Sequence, residues 1–530
     1  MDSKALFLFL CSSVMSVSCI HGAKLLFAPL DLGYNSRVTN MLKLCNLMYK
    51  QGHDISVLWS ELLQKHELYE MNEKNNLKMM EQYDIITYKT PVLNGTGNQN
   101  WLDDMIGLPM SQQNEPTRPV ILSNLELTLK DQTAWKRLTE VKYDLIITDE
   151  YVFVTRILGA QFDIPVIAYI NWGPFSIQGS LLAPINPSYI PIDLSQPYSD
   201  SMTFMERLWN TWEHIKLYKS SITTFGKAKE ICLKYSRIIK PSACENLPDF
   251  YKTVSLILMN RHNVLHYPAP FMPHVISIAD FFLDPPKQLD AYYNDIVENS
   301  GSHGVILVSF GSLFRRLSDT RAAMFARAFA AMPQTVIWSY DGDKPEGLGA
   351  NTIIDKWIPQ KDLMSHPNIK LVVHQCGMTS TFQTIHYAQP TVNIPFFLDQ
   401  VYNCEKLANR VKSGELLRVE GLTSEILLKA MKNVISNATY KANAEKASKI
   451  LSDNDMDPSD KAIYWIEYVL RHKGAHHLRS QGMNNLSFCQ YYLLDIIGLV
   501  LLIVIFILYV VVSLVKFLGR KIWPYKQKRD

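Results

Sequence analysis

The sequence predicts an α/β protein with two Rossmann-like, doubly wound domains that face a cleft, followed by a transmembrane helix. Short apolar segments alternate with helical segments twice along the 530 residues, and this alternation is typical of parallel sheets covered by helices. Residues 496–515 carry no charge. A helix of that length spans roughly 30 Å, which is the hydrocarbon thickness of a bilayer.

The first predicted domain covers residues 23–284. It begins with a strand, a helix and a second strand at 24–29, 38–50 and 54–59. This unit lacks the GxGxxG motif of dinucleotide-binding domains, which argues against a dehydrogenase. Further strands are predicted at 83–89, 143–149, 165–171 and 255–260.

Large apolar side chains recur at helical spacing between residues 202 and 218. We favour a stripe that faces the protein core, and the alternatives are an acceptor pocket or a contact with a membrane. The stripe consists of Met205, Leu208, Trp209, Trp212 and Ile215.

The second predicted domain covers residues 285–475, after a proline-rich linker at 280–288. We expect a helix at 381–387, with Ser380 near its start. Strands are predicted at 305–310, 335–340, 369–373 and 390–397.

Both ends of the chain carry features of targeting segments. Residues 1–22 combine Lys4, an apolar run and small residues, as secretory signal peptides do; a buried first helix is the alternative. A connector at 476–495 leads to the apolar helix. The tail of residues 516–530 has a net charge of +5, so we expect a cytoplasmic tail and a lumenal body, the type I orientation.

The last five residues, Lys526 to Asp530, are similar to a dilysine retrieval signal of the endoplasmic reticulum. Anchoring of these basic residues at lipid phosphates is the alternative. Because the tail carries most of the positive charge, the body is about −2 within a chain of +3, which argues against a nucleic-acid partner.

Six cysteines follow the predicted signal, at scattered positions without metal-binding spacing, and the sequence assigns no disulfide pairing. Three sequons, at Asn94, Asn437 and Asn485, lie in the predicted lumenal part and are candidate glycosylation sites.

The strongest functional pattern lies in residues 357–403. A buried strand is followed by small residues and then by a helix. Such a helix N-terminus binds anions, because free N–H groups and the positive end of the dipole meet there. Trp357 offers a stacking surface, and Asp399 and Gln400 follow an apolar strand, at the carboxyl edge of a sheet. A stacking surface, a phosphate site and a polar pair together indicate a nucleotide sugar.

This stretch resembles the signature of the UDP-glycosyltransferases, the family that includes the glucuronosyltransferases. The resemblance extends over nearly the whole chain. It implies the GT-B fold and inverting transfer of a hexose from a UDP-sugar to a small lipophilic acceptor bound by the N-terminal domain. The matching residues are Trp357-x-Pro359-Gln360, Asp362-Leu363, His366-Pro367, Gln375-x-Gly377-x-x-Ser380, Pro390, Ile394-Pro395 and Asp399-Gln400-x-x-Asn403.

The resemblance also implies the roles of individual residues. No metal or other cofactor is expected, because the helix N-terminus can neutralise the diphosphate. Asp341-Gly342-Asp343 and Asp453-Asn454-Asp455 could instead be metal motifs, although both have turn-like surroundings. The implied UDP-sugar site has Trp357 on uracil with Gln360 nearby, Gln375, Gly377 and Ser380 in the diphosphate loop, Gln383 at the ribose, Asp399 and Gln400 at sugar hydroxyls, and Ser309, Gly311 and Ser312 near the reaction centre.

The catalytic pair departs from the family. Family members activate the acceptor with a histidine that an aspartate orients. Asp149 matches the aspartate, but Arg37 occupies the histidine position. Arginine stays protonated at any working pH, so Arg37 cannot accept the proton of the acceptor.

The donor loop departs as well. Cys376 replaces a glycine, and we expect its side chain to occupy space where the backbone should approach phosphate. Gln383 replaces a glutamate, which removes a charge-assisted hydrogen bond. Gln375 replaces a histidine but keeps a hydrogen-bond donor.

Three hypotheses follow. The first is an active transferase whose acceptors need no deprotonation, such as tertiary amines or ionised phenols. The second is an ordinary transferase in which Asp149 or water acts as a poor base. The third is a catalytically weak or inactive UDP-sugar-binding membrane protein that acts as a binding partner or in a homo- or hetero-oligomer. Glucose and glucuronate both fit, and Gln375 favours glucose because this variant resembles the invertebrate branch.

Overall fold

A computed structural model describes most of the chain. The predicted signal peptide, the Asn94 sequon and the end of the tail lie outside the described residues. The chain divides into two units, Met1–His476 and His477–Asp530. The described residues are 22–30, 35–61, 81–89, 117–171, 186–192, 198–245, 247, 250–312, 314–396 and 399–526.

The first half of the larger unit contains a seven-stranded sheet in the order β3-β2-β1-β4-β5-β6-β7. Every strand pair in it is parallel. The central strands are buried almost throughout, which explains their nearly continuous apolar sequence. The strands are β1 (Lys24–Ala28), β2 (Asp54–Ser60), β3 (Asp84–Tyr88), β4 (Leu145–Asp149), β5 (Val166–Ile170), β6 (Leu256–Met259) and β7 (Val275–Ser277).

Helices accompany this sheet. The longest begins at a capping box, in which the Thr203 hydroxyl accepts from the Glu206 amide while the Glu206 carboxylate accepts from the Thr203 amide. The described helices of this half are α1 (Asn35–Lys50), α2 (Thr117–Lys130), α3 (Gln132–Glu140), α4 (Phe153–Phe162), α5 (Phe204–Leu233), α6 (Pro241–Glu245) and α7 (Phe250–Thr253).

The second half contains a six-stranded parallel sheet in the order β10-β9-β8-β11-β12-β13. Its core packs Phe325, Phe329 and Trp338 between the sheet and the helix that follows β8. The strands are β8 (Val305–Ser309), β9 (Thr335–Ser339), β10 (Thr352–Asp355), β11 (Ile369–His374), β12 (Thr391–Asn393) and β13 (Gly414–Leu416).

Helices of different lengths accompany the second sheet. One π-helical segment, Lys406–Val411, continues directly from α12, and a 3-10 turn covers Gly301–His303. The helices are α8 (Ala291–Glu298), α9 (Asp319–Ala330), α10 (Gln360–Met364), α11 (Met378–His386), α12 (Gln400–Glu405), α13 (Ser424–Ser436), α14 (Ala438–Ser452) and α15 (Pro458–Arg471).

The two sheets confirm the predicted α/β architecture, with differences in detail. Helix α11 begins at Met378, three residues before the predicted start, and Gly377 is its N-cap. Strand β12 ends at Asn393 rather than at residue 397. Strands β7, β10 and β13 were not predicted, because three or four residues are too few to show a periodicity.

The favoured interpretation of the apolar stripe on α5 is wrong. Its five side chains, from Met205 to Ile215, are each more than half exposed. They therefore do not face the core, and an acceptor pocket and a membrane contact stay predictions.

The last helix of the larger unit, α15, belongs in sequence to the second half but lies beside the first. His53 of the first half lies 3.9 Å from Glu467 of α15. A separate contact fixes the start of the linker: His386 of α11 lies 2.7 Å from the carboxylate of Asp280.

Residues 477–530 form the smaller unit. Among the described residues, one helix is long and apolar enough to cross a membrane, over Leu494–Lys521. A 3-10 turn at His476–Leu478 precedes this unit's helices, which are α16 (Gln481–Asn485), α17 (Phe488–Tyr491) and α18 (Leu494–Lys526).

We predict that Gly414→Ala destabilises the larger unit by about 1–3 kcal/mol. A Cβ atom at Gly414 would collide with the carbonyl of Thr391 on the paired strand β12. Chemical denaturation of the full chain in detergent measures the loss. The control is Gly226→Ala in α5, where a Cβ atom meets nothing within 4 Å and should stabilise the helix by up to about 1 kcal/mol. Equal effects of the two substitutions would contradict the packing of β13 on β12.

Candidate active site

The two residues of the altered catalytic pair lie in contact. Arg37 lies in the first turn of α1, the helix that follows β1. Asp149 ends β4, the strand beside β1. The Arg37 Nη1 atom lies 3.3 Å from Asp149 Oδ1, and both side chains are at most 2% exposed. The backbone N–H of Tyr151 donates to the same oxygen over 3.1 Å. The structure therefore brings together the two residues that the sequence placed at the reaction centre.

Further buried charges surround this pair. Glu150 lies 3.7 Å from the Arg37 Nη2 atom, and Arg156 stacks over the rings of Phe153 and Phe225. Two guanidinium groups thus face two carboxylates in a buried region. Burial raises the pKa of Asp149, and the charges of Arg37 and Arg156 oppose that rise.

One helical turn beyond Arg37, the first half contacts the second. The Asn40 side-chain amide lies 2.9 Å from the Asn171 side-chain oxygen and 3.3 Å from the hydroxyl of Thr379. Thr379 lies in the first turn of α11. The altered catalytic pair therefore lies one helical turn from a contact with the predicted diphosphate loop.

A chain of hydrogen bonds runs through the donor half of the site. The Gln360 side-chain amide donates to Ser380 over 3.2 Å. Ser380 Oγ lies 3.2 Å from His374 Nδ1, and His374 Nε2 lies 3.1 Å from Asn393 Oδ1. Since the Asn393 oxygen can only accept, His374 donates to it from Nε2. A neutral imidazole with its proton on Nε2 can then accept at Nδ1 from the Ser380 hydroxyl.

Burial lowers the pKa of His374 to about 4, and its bond to Asn393 opposes the change. The residue is neutral at physiological pH, in agreement with the hydrogen-bond chain. Sequence reasoning missed His374, because a histidine at the end of a buried strand looks like any core residue.

The predicted nucleoside residues lie beside one another. The second hydrogen of the Gln360 amide points at Gln383 Oε1, which lies 2.7 Å away. Trp357 is half-buried three residues upstream, and its carbonyl accepts from the Tyr293 hydroxyl over 3.2 Å. The structure brings Gln360, Ser380 and Gln383 together, as the proposed nucleoside and phosphate contacts require.

The diphosphate loop differs from expectation at Cys376. Its side chain is fully buried and forms a disulfide with Cys404 of α12. The backbone has φ of 62°, in the left-handed region that favours glycine. The expected side-chain obstruction is therefore wrong, because the sulfur points into the core. A second disulfide joins Cys232 and Cys244 in the first half.

The predicted sugar-binding pair lies at the start of α12. Asp399 is the N-cap residue and Gln400 the first helical residue. The Asn403 side-chain amide donates to the Asp399 carboxylate and to the Cys376 carbonyl, each over 3.0 Å. The Gln400 side-chain oxygen accepts from the Phe396 backbone N–H over 3.0 Å. Asn403 thus links the sugar pair to the diphosphate loop.

The turn after β8 lies beside the same loop. Ser309 ends β8 in register with His374 of β11, and Gly311 and Ser312 follow in the turn. Gly311 has φ of 73°, and a Cβ atom there would collide with the Gln375 side-chain nitrogen. The backbone conformation therefore favours glycine at this position, whereas the Gln375 amide is the end of a flexible side chain.

The alternative metal motif at Asp341 has another explanation. The carboxylate of Asp341 lies 3.3 Å from Arg315 and 3.2 Å from Lys356. Within the described part of the chain, His, Cys, Asp and Glu side chains form no group of three that could hold a metal ion.

The two parallel sheets define a class, the GT-B glycosyltransferase fold, and the residues predicted to bind a nucleotide sugar lie at the carboxyl edge of the second sheet. Solved glycosyltransferases share the fold. The calicheamicin glycosyltransferase CalG4 superposes with a TM-score of 0.57 at 15% identity, covering 85% of this chain and 99% of its own. The spinosyn forosaminyltransferase SpnP gives 0.53 at 14%, with the same coverage.

Sequence comparison specifies the family. The family described as "UDP-glucoronosyl and UDP-glucosyl transferase" matches residues 23–529. UDP-glucuronosyltransferase 2B10 of Homo sapiens is 32% identical over 504 residues, which are 92% of each chain. UDP-glucuronosyltransferase 2B1 of Rattus norvegicus is 34% identical over 398 residues, 74% of this chain and 73% of its own. The chain belongs to the UDP-glycosyltransferase family, whose members transfer a sugar from a UDP-sugar.

We predict that His374 makes stability sensitive to acid. Because its pKa falls from 6.5 to about 4 on folding, the unfolded chain binds the proton first, and stability declines as pH falls through that range. The loss attributable to His374 is about 3 kcal/mol.

The measurement is chemical denaturation at several pH values, comparing the wild type with His374→Gln, which cannot titrate. The exposed His303→Gln serves as control. If the wild type and His374→Gln lose equal stability between pH 6.5 and 4, His374 is not the buried neutral group described above.

Proposed function

We propose that the protein catalyses inverting transfer of a hexose, glucose or glucuronate, from its UDP-sugar to a small lipophilic acceptor that needs no deprotonation. Tertiary amines and ionised phenols are such acceptors. One observation carries this proposal: Arg37, which we assign to the position of the family's catalytic histidine, pairs with Asp149. A guanidinium group donates hydrogen bonds and accepts none, so Arg37 cannot act as a base.

Asp149 is a poor replacement for the base. Oδ1 of its carboxylate accepts hydrogen bonds from Arg37 and from the Tyr151 backbone N–H, and the positive charge of Arg37 opposes uptake of a proton by the carboxylate. If Asp149 took up a proton, it would lose its negative charge. The buried Arg37 would then lose one of its two carboxylate partners, which is costly. The hypothesis that Asp149 acts as an ordinary base therefore has less support than an altered acceptor class.

The chemistry needs little else from the first half. The acceptor lone pair forms a bond to the anomeric carbon while the bond from that carbon to the diphosphate oxygen breaks. With a tertiary amine the product is a quaternary ammonium glycoside, and no proton has to leave. The departing negative charge falls at the N-terminus of α11, so we propose that transfer requires no metal or other cofactor.

The donor site supports UDP-sugar binding. Gln360, Ser380 and Gln383 form one hydrogen-bonded group, and Trp357 is half-buried nearby in sequence. Asp399 and Gln400 lie at the start of α12 for the sugar hydroxyls. Gln375, Gly377, Ser309, Gly311 and Ser312 complete the proposed site. Gln383 accepts from Gln360 without charge, so we expect a weaker ribose contact than a glutamate would give.

The Arg37–Asp149 pair also favours a second candidate, a UDP-sugar-binding membrane protein with little or no catalysis that serves as a binding or hetero-oligomer partner. Both candidates share the location that we propose: a type I protein of the endoplasmic reticulum membrane, anchored by α18, with a lumenal body and a cytoplasmic tail. Turnover separates the two candidates, whereas UDP binding does not.

We predict that the full chain in detergent binds UDP in isothermal titration calorimetry. Trp357→Ala should weaken binding by about 10-fold or more, because base stacking on an aromatic ring contributes about 1–3 kcal/mol. Trp209→Ala, on the exposed face of α5, is the matched control and should not change the affinity. An absence of UDP binding at millimolar ligand would exclude both candidates.

We predict that Arg37→His raises turnover on phenols and alcohols by about 100-fold, because a general base contributes about 10²–10⁴. Tertiary amines should gain little from the same substitution. Liquid chromatography of products formed from UDP-glucose and UDP-glucuronate measures both. In Arg37→His/Asp149→Asn the gain should disappear, since the new histidine loses its orienting carboxylate. An unchanged rate in Arg37→His would refute the role assigned to Arg37.

A further inference from the structure

The disulfide between Cys376 and Cys404 joins two parts of the donor site that follow the neighbouring strands β11 and β12. Cys376 lies in the loop after β11 and immediately precedes Gly377, the N-cap of α11. Cys404 lies in α12, the helix that begins with Gln400 after Asp399. One end of the cross-link therefore holds the predicted diphosphate loop, and the other holds the helix of the predicted sugar pair.

A hydrogen-bonded link runs beside the covalent one. The Asn403 side-chain amide donates to the Cys376 carbonyl and to the Asp399 carboxylate, each over 3.0 Å. The position of the Asp399 carboxylate is thus coupled to the backbone at Cys376. Both sulfurs belong to fully buried residues, within the core cluster that also contains Phe382 and Leu407.

The backbone at Cys376 explains why a cross-link is useful there. With φ of 62°, a residue that carries a Cβ atom is strained where glycine would not be. Without another constraint, the loop would relax away from this conformation and carry the start of α11 with it. The bond to Cys404 opposes that relaxation, because the sulfur can reach its partner only while the loop keeps its conformation.

We propose that the Cys376–Cys404 disulfide is a positioning element of the donor site. It sets the distance between the diphosphate loop and the Asp399 carboxylate, so that one UDP-sugar can engage both at once. This inference rests on the proposed function, since it assigns a role within the UDP-sugar site. A disulfide persists in an oxidising compartment, which agrees with the lumenal location that we propose for the larger unit.

The ratio of the UDP dissociation constant to that of the UDP-hexose tests the proposal. In the proposed site, UDP contacts the loop and the nucleoside residues but not the sugar pair, whereas UDP-glucose or UDP-glucuronate contacts the sugar pair as well. The variant Cys376→Ala/Cys404→Ala removes the cross-link and keeps a Cβ atom at the position with positive φ. In this variant the ratio should fall at least 5-fold, while the UDP dissociation constant changes less than 3-fold.

The second disulfide provides the control, because Cys232 and Cys244 lie in the first half. The variant Cys232→Ala/Cys244→Ala should lower the melting temperature without changing the ratio. If the first variant does not fold, Cys376→Ala/Cys404→Val keeps more of the buried volume and takes its place. Calorimetry on full-length chains in detergent gives every constant.

The outcomes separate this inference from the proposed function. A wild type that binds neither UDP nor a UDP-hexose contradicts the proposed function itself. A wild type that prefers the UDP-hexose, with a cross-link variant of equal preference, overturns the positioning role alone. A wild type without any preference for the UDP-hexose overturns it too, because no sugar contact then exists to be positioned.

Discussion

Arg37 and Asp149 form an ion pair with almost no contact with solvent, and the acceptor side of the site depends on it. Each of the two buried charges depends on the other. Removing either partner leaves an uncompensated buried charge and lowers the free energy of unfolding by about 3–5 kcal/mol. In the family's arrangement the aspartate orients a neutral histidine. In this chain Asp149 pairs with a guanidinium group instead, and we propose that the pair stands at the position where relatives carry out proton transfer.

The donor side is constrained differently. Its central link is His374, which connects Gln360 and Ser380 to Asn393 and whose pKa is lowered by burial. The Cys376–Cys404 disulfide links the loop that follows His374 to α12. Asn40 reaches from α1 to Thr379 over 3.3 Å, so the helix that carries Arg37 contacts the start of α11. The two sides of the site meet at this hydrogen bond, and both contain residues that depart from the family's pattern.

Much of the fold was predictable, because long buried strands such as β4 and β11 have nearly continuous apolar sequences. The errors have physical causes. Helix α11 begins earlier than expected since Gly377, without a side chain, serves as its N-cap. The stripe from Met205 to Ile215 has the spacing of a core-facing helix, but spacing does not show which side of a helix is covered. Disulfide pairing depends on distances between residues far apart in sequence.

The candidate site was predictable where a motif fixed residue types at fixed spacing, as from Trp357 to Asn403. His374, Asn40 and Asn171 were missed. Asn40 follows Arg37 by three residues and so shares its helix face, which could have indicated it. His374 and Asn171 gave no such signal, because each acts through partners from other elements.

The most direct test of the account is the pH dependence of kcat/KM for two phenols whose own pKa values differ by about two units. If the enzyme supplies no base, each profile rises through the pKa of the phenol itself, and the two midpoints differ accordingly. A single shared midpoint between about pH 6 and 7, independent of the phenol, would reveal an enzymatic base and contradict the role assigned to Arg37.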